Sequence, residues 1–488
     1  TNLNSAAKKN SISSSYSSNT LASFLSRLEY KFNNRYLLTL NFRADGSSQF
    51  GPDKRWGYFP SGAVAWIITE ENFMKDYSNI VSYLKLRGSV GKTGSQNLGA
   101  YDWRTLMGSA TYTGAAGIVP SSLGNDILQW EEQIQKEVGL DYGFWDDRIR
   151  GTLGYYQKKV DNLLYSDPVP TSSSFSSVYQ NIGSLKNRGI EFDVRVDIIK
   201  NVQKDLTWNV DFNIARNRTT LEKLNSSDGY FGGGAYDYFK IEEGGETGRF
   251  YGYKDAGRLF MTNEELVGLK TIDPKTGTLK YYRDDYNYER QGDVYIMDLD
   301  GDGQITADGD RPAIGNANPD FFGGFGSTLY WKGLMLNAVF SYSVGGDRFW
   351  DEEKNSSGDM NVYNTSNRIL DSWTVNPGVN ASYPRAMYYG WGSNSIITDR
   401  YIHDASYLRM TALNLSYRLP KHLYKNSILN AVEFTFQATN LFTWTKYPGM
   451  DPQGNFSTTY SAFYNMGIDY STYPSARTYN FGIKLTLK

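Results

Sequence analysis

Cysteine is absent from the 488 residues of this chain, and histidine occurs only twice. The lack of cysteine excludes a disulfide scaffold and any metal site built on thiolates. With a net charge of −2, the chain shows no sign of a nucleic-acid partner. The mean hydropathy is −0.52, and no apolar run approaches the ~20 residues of a membrane-spanning helix. A chain of this kind can still cross a membrane with strands, because alternation hides a lipid-facing surface from any average of hydropathy.

Aromatic residues are abundant, at 15% of the chain. Such an excess suits strands and the aromatic girdles of membrane barrels. The clearest strands lie between Asn187 and Asn217, where charged and apolar residues alternate. The apolar members of this alternation are Ile190, Phe192, Val194, Val196 and Ile198, followed by Trp208, Val210, Phe212 and Ile214. A period of two predicts two extended strands, each with one apolar and one polar face.

The same alternation recurs along the whole chain, in roughly 13 segments. Short turns alternate with long polar connections. The longest of these cover 92–132, 218–321, 345–404 and 443–476. Short turns at one end and long loops at the other are typical of outer-membrane barrels. We therefore predict an all-β, transmembrane antiparallel barrel over 24–488, with 1–23 as a loop or loose end. A large soluble β-protein such as a propeller is the alternative, although no repeat of blade length is present.

The chain begins TNLNSAAKK, without an initiating Met or a secretory apolar segment. We interpret it as a mature fragment or as the later part of a longer chain.

Seven blocks of sequence, in order along the chain, resemble SusC/RagA-type TonB-dependent transporters in the C-terminal part of their barrel. The blocks include VGLDYGFWDDRIRGTLGYYQKKVDNLLY and GDVYIMDLDGDGQITADGDRPAIGNANPDFFGGF, and they cover 84–101, 138–165, 181–192, 292–325, 406–420, 439–452 and 473–487. Seven ordered blocks are a far more specific signal than one short motif. The resemblance implies about strands 10–22 of a barrel of ~22 strands, with a plug domain that this chain does not include.

The resemblance also implies a location and partners. The chain would be an integral protein of the Gram-negative outer membrane and would act in active import. A SusD-like surface lipoprotein would cover the long loops, and the TonB complex would supply energy through the plug. The ligand would be a large nutrient, either an oligosaccharide or a peptide.

An acidic motif in the 218–321 segment is the strongest local signal of a metal site. Residues 298–305 match the first eight positions of an EF-hand loop, although the twelfth position is Gly309 rather than Glu. The predicted oxygen ligands for Ca²⁺ are Asp298, Asp300, Asp302, Gln304 and Asp308. Such an ion would order a long loop without taking part in catalysis. The alternative is an Asp/Gly-rich turn whose side chains cap their own backbone.

Aromatic residues in the long loops are candidates for contact with a ligand or a partner. The alternative is that they pack within their own loops. These candidates are Trp350, Trp373, Tyr388, Tyr389 and Trp391. A catalytic role is not predicted. His403 and His422 lie in no nucleophile motif, so the chain is not expected to be an enzyme. A soluble β-rich protein that binds or hydrolyses glycans is the alternative function.

Overall fold

A computed structural model describes most of the chain. The described residues are 16–113, 115–224, 230–232, 238–262, 265, 271–272, 279–280, 291–358, 365–378, 380–386, 394, 396–425, 428–454, 466–470 and 472–487.

Thirteen strands form one continuous antiparallel sheet, in which each strand pairs with the next one along the chain. They are β1 (Leu21–Phe32), β2 (Tyr36–Ser47), β3 (Trp56–Ile67), β4 (Val81–Ser95), β5 (Glu131–Phe144), β6 (Ile149–Asp161), β7 (Ser184–Asn201), β8 (Leu206–Lys223), β9 (Phe321–Trp331), β10 (Leu334–Val344), β11 (Tyr407–Arg418), β12 (Leu429–Thr445) and β13 (Thr478–Leu487). The predicted number of strands and their meander are confirmed.

The connections between these strands alternate in length, as the sequence predicted. The short turns are 33–35, 68–80, 145–148, 202–205, 332–333 and 419–428, and they define the short-turn end of the sheet. The connections at the opposite, long-loop end are 48–55, 96–130, 162–183, 224–320, 345–406 and 446–477. In the tightest turn, Lys332 and Gly333 both have positive φ (48° and 86°), as a two-residue hairpin turn requires.

Several strands extend further than predicted. The loop predicted over 218–321 begins only after Lys223, because β8 continues through polar residues to its end. Similarly, β4 reaches Ser95 where a loop from residue 92 was expected, and β1 begins at Leu21 rather than at residue 24. The added end of β4, residues 92–95, carries no apolar side chain, so alternation disappears there while the ladder of backbone hydrogen bonds continues.

The sheet has an apolar face and a polar face. On the apolar face, Phe212 of β8 stacks on Tyr342 of β10, with ring centroids 6.1 Å apart, and many large apolar side chains are exposed. On the polar face, Asn337 donates to Thr328 (2.9 Å), and Asn414 donates to Asn337 (2.9 Å). The alternation in sequence therefore separates exposed apolar side chains from a hydrogen-bonded polar surface.

The two edge strands differ from the others. Within the described residues, β1 and β13 each pair on one side only, and both are exposed along their whole length.

The long loops contain smaller elements. Their hairpins and sheets comprise Met107–Tyr112 with Ala115–Pro120, Leu164–Pro168 with Ser177–Asn181, Asp255–Leu259 with Val294–Ile296, Thr271–Ile272 with Leu279–Lys280, the four strands Tyr230–Gly232, Phe239–Ile241, Arg249–Tyr251 and Ala313–Asn316, and the three strands Asp347–Trp350, Ile402–Asp404 and Ile468–Asp469.

Within the described residues, the helical segments with assigned bounds are all short. They are Pro52–Lys54, Ile68–Glu70, Asn72–Tyr77, Thr171–Ser173, Val202–Lys204, Asp351–Glu353, Lys354–Gly358, Asn367–Asp371, Asp399–Tyr401 and Lys421–Tyr424. Across the part of the chain that the structure describes, no helix is both long enough and apolar enough to cross a membrane.

Candidate functional site

The long loops pack against one another at one end of the sheet and form two assemblies. The first joins loops 48–55, 96–130 and 162–183 around a buried cluster that includes Phe50, Leu128 and Trp130. Within it, the indole Nε1 of Trp130 donates to the carbonyl of Arg55 (2.9 Å), and Phe59 meets the Trp130 ring edge-on at 5.4 Å. These loops are therefore held as one unit by a shared core.

The second assembly joins the three remaining long loops, 224–320, 345–406 and 446–477. Its core is a cluster of buried apolar residues drawn from all three: Tyr238, Phe239, Phe250, Ala317, Phe349, Ile397, Tyr401 and Ile468. A small sheet connects two of the loops, since Asp347–Trp350 pairs with Ile402–Asp404 and, in parallel, with Ile468–Asp469. Phe349 lies in this sheet and is fully buried. The described parts of the three loops consequently form one packed body.

A buried ion pair fastens this second assembly to the barrel strands. Arg409 of β11 reaches Asp451 in loop 446–477, with Nη2 and Oδ1 2.6 Å apart. Burial alone would raise the pKa of the Asp451 carboxyl. The bond from Arg409 and the amide N–H groups of Gln453 (2.9 Å) and Ser475 (3.2 Å) outweigh burial and lower the pKa of Asp451. Sequence reasoning missed this pair because its members lie 42 residues apart without a local motif.

The acidic motif forms a compact loop. One carboxylate oxygen from each of Asp298, Asp300 and Asp302 lies within 4.8 Å of the other two. Gly301 and Gly303 make the turn possible with φ of 75° and 82°, a region that side chains disfavour. The structure therefore brings together the first three predicted ligands.

The carboxylates of this loop also cap its backbone. Asp298 accepts the N–H groups of Gly301 (2.7 Å) and Gly303 (2.8 Å), and Asp302 accepts that of Gln304 (2.7 Å). A carboxylate offers about four lone-pair sites, so these bonds leave acceptor capacity for a cation. The donor set fits Ca²⁺, which prefers oxygen ligands. The same bonds suit a turn without metal, so calcium binding stays a prediction.

The far side of the acidic loop differs from the expectation. Asp308 is exposed and does not join the carboxylate trio. Instead, the fully buried Asp310 accepts the N–H groups of Leu299 (2.6 Å) and Thr306 (2.8 Å), which ties the two ends of the loop together. Asp310 is position thirteen from Asp298, one beyond the position that carries the Glu of an EF-hand loop.

The electrostatics of the loop favour a cation. The N–H of Asp302 bonds to the Asp300 carboxylate and lowers its pKa. Desolvation and the negative charges of Asp302 and Asp310 outweigh that bond, so the pKa of Asp300 is raised. Next to the loop, Ile305 is anchored in a second buried cluster with Phe260.

The predicted aromatic contacts fall into separate places. Trp350 is half-buried, with the Arg368 guanidinium 4.8 Å above its ring and His403 edge-on at 5.9 Å. Trp373 packs against the cluster that holds Ile305, and its ring lies against Gly292. Both rings therefore contribute to loop packing, and a role in ligand contact stays a prediction. Tyr388, Tyr389 and Trp391 lie outside the described residues.

The two histidines cannot share a site. His403 lies in the second loop assembly, where its Nε2 is 2.6 Å from Oε2 of Glu353. His422 lies in the turn 419–428, at the short-turn end of the sheet.

Comparisons with known proteins agree with this architecture. Residues 1–385 match the family model described as TonB dependent receptor-like, beta-barrel. The TonB-dependent receptor P3 of Formosa agariphila is 33% identical over 97% of this chain and 46% of its own length. The TonB-dependent receptor SusC of Bacteroides thetaiotaomicron is 32% identical over 96% of this chain and 44% of its own length.

Among solved structures, the RagAB peptide transporter superposes with a TM-score of 0.77 and 26% identity, over 99% of this chain and 50% of the solved chain. The chain thus spans about half the length of the curated relatives that it matches.

Proposed function

The chain belongs to the TonB-dependent receptor β-barrel family, and on this premise we propose that it forms the wall and outer mouth of a SusC-like importer. The cargo is a large nutrient, an oligosaccharide or a peptide. Import is driven through TonB, and a SusD-like surface lipoprotein covers the mouth.

The membrane location follows from the family together with the surface of the sheet. Proteins of this family are outer-membrane barrels, and the apolar face of the thirteen strands exposes large side chains such as Val64, Leu153 and Phe434. A soluble protein rarely exposes so extensive an apolar surface. The alternative of a soluble glycan-binding or glycan-hydrolysing protein is therefore wrong, and the expectation that the chain is not an enzyme is confirmed.

The second loop assembly is the observation that carries the proposal. Loops 224–320, 345–406 and 446–477 are separated along the chain by barrel strands, yet their described residues share one core at the long-loop end. A packed body of this kind can hold a binding surface in a fixed shape, which separate flexible loops cannot. It lies where outer-membrane barrels present their extracellular side.

Exposed apolar side chains on this assembly support a protein partner. Leu370, Met450 and Tyr473 are exposed in the described parts of these loops, and Tyr473 is 89% exposed. Aromatic residues and Met are enriched at protein interfaces. A surface lipoprotein that covers the mouth would bury them.

The class of cargo has one line of support. The chain is similar to RagAB, which is described as a peptide transporter. The half-buried Trp350 and Trp373 could stack on sugar faces or grip peptide side chains, so they do not separate the two classes. We retain both and choose an experiment that separates them.

The experiment is growth of the source bacterium on a defined oligosaccharide or a defined peptide mixture as its limiting nutrient. Loss of the gene should abolish growth on one of the two, and a copy of the gene should restore it. A matched strain without TonB should show the same defect. Normal growth of the deletion strain on every large nutrient, with a defect on small ones, would contradict the proposal.

A further inference from the structure

A groove of about 730 Å³ crosses β2 to β6 on the face of the sheet that points to the membrane. Its walls are mostly apolar and include Leu38, Leu40, Val64, Val90 and Val138. Val64 and Val138 are 59% and 57% exposed, so nothing within the described chain covers them. We refer to this feature as the outer-wall groove.

Two glycines create the outer-wall groove. Gly62 lies opposite Leu40 on one side and Val90 on the other, while Gly88 lies opposite Val64 and Val138. Cross-strand neighbours point to the same face of a sheet, so both glycines interrupt an otherwise continuous apolar surface. A Cβ at Gly88 would find no atom closer than 3.9 Å, and one at Gly62 none closer than 3.3 Å. The missing side chains leave a depression.

Toward the long loops, the residues at the rim of the groove change from an apolar row to a row with two basic side chains. Val138, Tyr155 and Ile190 stand side by side on β5, β6 and β7. Two residues nearer the long loops on the same face, the next row is Lys136, Gln157 and Arg188. Neighbouring strands are about 4.8 Å apart, which places the backbones of Lys136 and Arg188 roughly 10 Å from each other. Both side chains can therefore reach a group that lies between them.

Lys136 and Arg188 differ from the lysines in the next row toward the long loops, where Lys92, Lys159 and Lys186 lie. Ion pairs neutralise the neighbouring lysines: Lys92 with Glu132 (2.6 Å), Lys159 with Asp161 (3.0 Å) and Lys186 with Glu222 (3.2 Å). Among the described residues, Lys136 and Arg188 have no carboxylate within 4.0 Å, and both are exposed. Two positive charges without an ion-pair partner thus lie at the rim of the apolar groove nearer the long loops.

We propose that the outer-wall groove and its basic rim bind a membrane lipid with a phosphate head group. The acyl chain lies over Gly62 and Gly88, where it fills the depression. The phosphate lies between Lys136 and Arg188, since guanidinium and ammonium groups are strong donors to phosphate oxygens. A protein occupant is disfavoured because this face borders the membrane, where lipid is the solvent.

Native mass spectrometry of the protein in a neutral detergent tests this. The two probes are dioleoyl phosphatidic acid and dioleoylglycerol, which share acyl chains and differ in the phosphate. The wild-type protein should retain phosphatidic acid more strongly. The double variant Lys136→Gln, Arg188→Gln should retain phosphatidic acid about fivefold less well for each charge removed. Its retention of dioleoylglycerol should be unchanged. Gly88→Leu should reduce the retention of both probes, because the leucine side chain fills the groove.

Matched controls lie on the opposite face. Lys158→Gln removes a charge next to Gln157, and Gly154→Leu adds a side chain where no atom lies within 4 Å; neither should alter lipid retention. Heat-modifiable migration on gels verifies that each variant is folded. Equal retention of phosphatidic acid by the double variant and the wild type would overturn the proposal. Complete displacement of the lipid by inorganic phosphate would overturn it too, since acyl contacts would then contribute nothing.

Discussion

Arg87 of β4 lies flat across Gly139, the residue directly opposite it on β5. A Cβ at residue 139 would stand 2.6 Å from Cζ of the guanidinium. From this position Arg87 bonds to Glu137 and to Asp141 (3.1 Å), and Asp141 also receives Lys85 (3.0 Å). The absence of one side chain lets a single guanidinium pair with carboxylates on both sides of it, on the polar face of the sheet.

Gly139→Val should displace Arg87 and break this network. Because the pairs are partly exposed, we expect a loss of about 1–2 kcal/mol in the free energy of unfolding. Urea titration of the refolded barrel measures it. Gly154→Val is the control, since a Cβ there meets nothing within 4 Å. An equal loss in both variants would show that strand propensity, rather than Arg87, is responsible.

Val194→Arg places a charge in the centre of the apolar stretch of β7, opposite Phe212 and Gly151. If Val194 lies near the midplane, the free energy of unfolding from lipid should fall by about 2–4 kcal/mol. Asp193 faces the other way, where Thr152 donates to its carboxylate. Asp193→Arg should therefore cost much less when both variants are refolded into the same vesicles. Comparable losses would mean that the two faces are assigned the wrong way round.

The strands could be predicted because the physics behind them is local. Alternation of apolar and charged residues in β7 and β8 is imposed by lipid on one face and water on the other, so it is written in consecutive positions. The loop assemblies have no such local signature. Phe250, Phe349 and Ile468 meet in one core from three separate loops, and no periodicity links them.

The acidic loop shows the same limit at a smaller scale. Asp298, Asp300 and Asp302 were predicted together because a turn at Gly303 acts over few residues. Asp310 was missed because its role, closing the loop through Leu299 and Thr306, depends on how the chain returns. The twelfth position of an EF-hand loop falls on Gly309 here, and the prediction chose the preceding residue, Asp308.

Calcium should bind to the acidic loop with ligand distances of roughly 2.3–2.6 Å. Asp300→Ala with Asp302→Ala should abolish the bound ion in elemental analysis, speed proteolysis of the loop and impair uptake, while the barrel stays folded. Because the pKa of Asp300 is raised, affinity should fall as acidification protonates that carboxyl. Asp308→Ala is the control and should retain the ion. Wild-type protein without a divalent ion in calcium buffer would identify the loop as a self-capped turn.

The Arg409–Asp451 pair should make the second loop assembly sensitive to acid. The pKa of Asp451 is lower in the folded loop than in an unfolded chain, whose Asp pKa is about 3.9. The stabilisation is thus present above pH ~4 and is lost as pH falls through the depressed pKa. Asp451→Asn breaks the buried pair already at neutral pH. The free energy of local opening of loop 446–477 should then fall by about 3–5 kcal/mol. Hydrogen exchange of the backbone amides of 446–454 measures this free energy. Equal protection of these amides at all pH values in the wild-type protein would contradict the prediction.

The proposed surface lipoprotein should contact the second loop assembly. Deletion of 350–395 would remove this surface, but it would also unpack the cluster around Phe260, so point variants are sharper. Leu370→Asp with Tyr473→Asp should weaken co-purification of the partner without altering barrel assembly. Leu423→Asp is the control, since Leu423 is 63% exposed in a turn at the opposite end of the sheet. Full recovery of the partner with the double variant would place the contact elsewhere.

The common core of loops 224–320, 345–406 and 446–477 limits how the sequences of these loops can change during evolution. A residue that changes in one of these loops alters the packing of the other two, so the three are selected together. Exchange of a single loop between two relatives should yield a misfolded mouth on an intact wall. Exchange of all three should transfer a folded mouth, together with whatever it recognises.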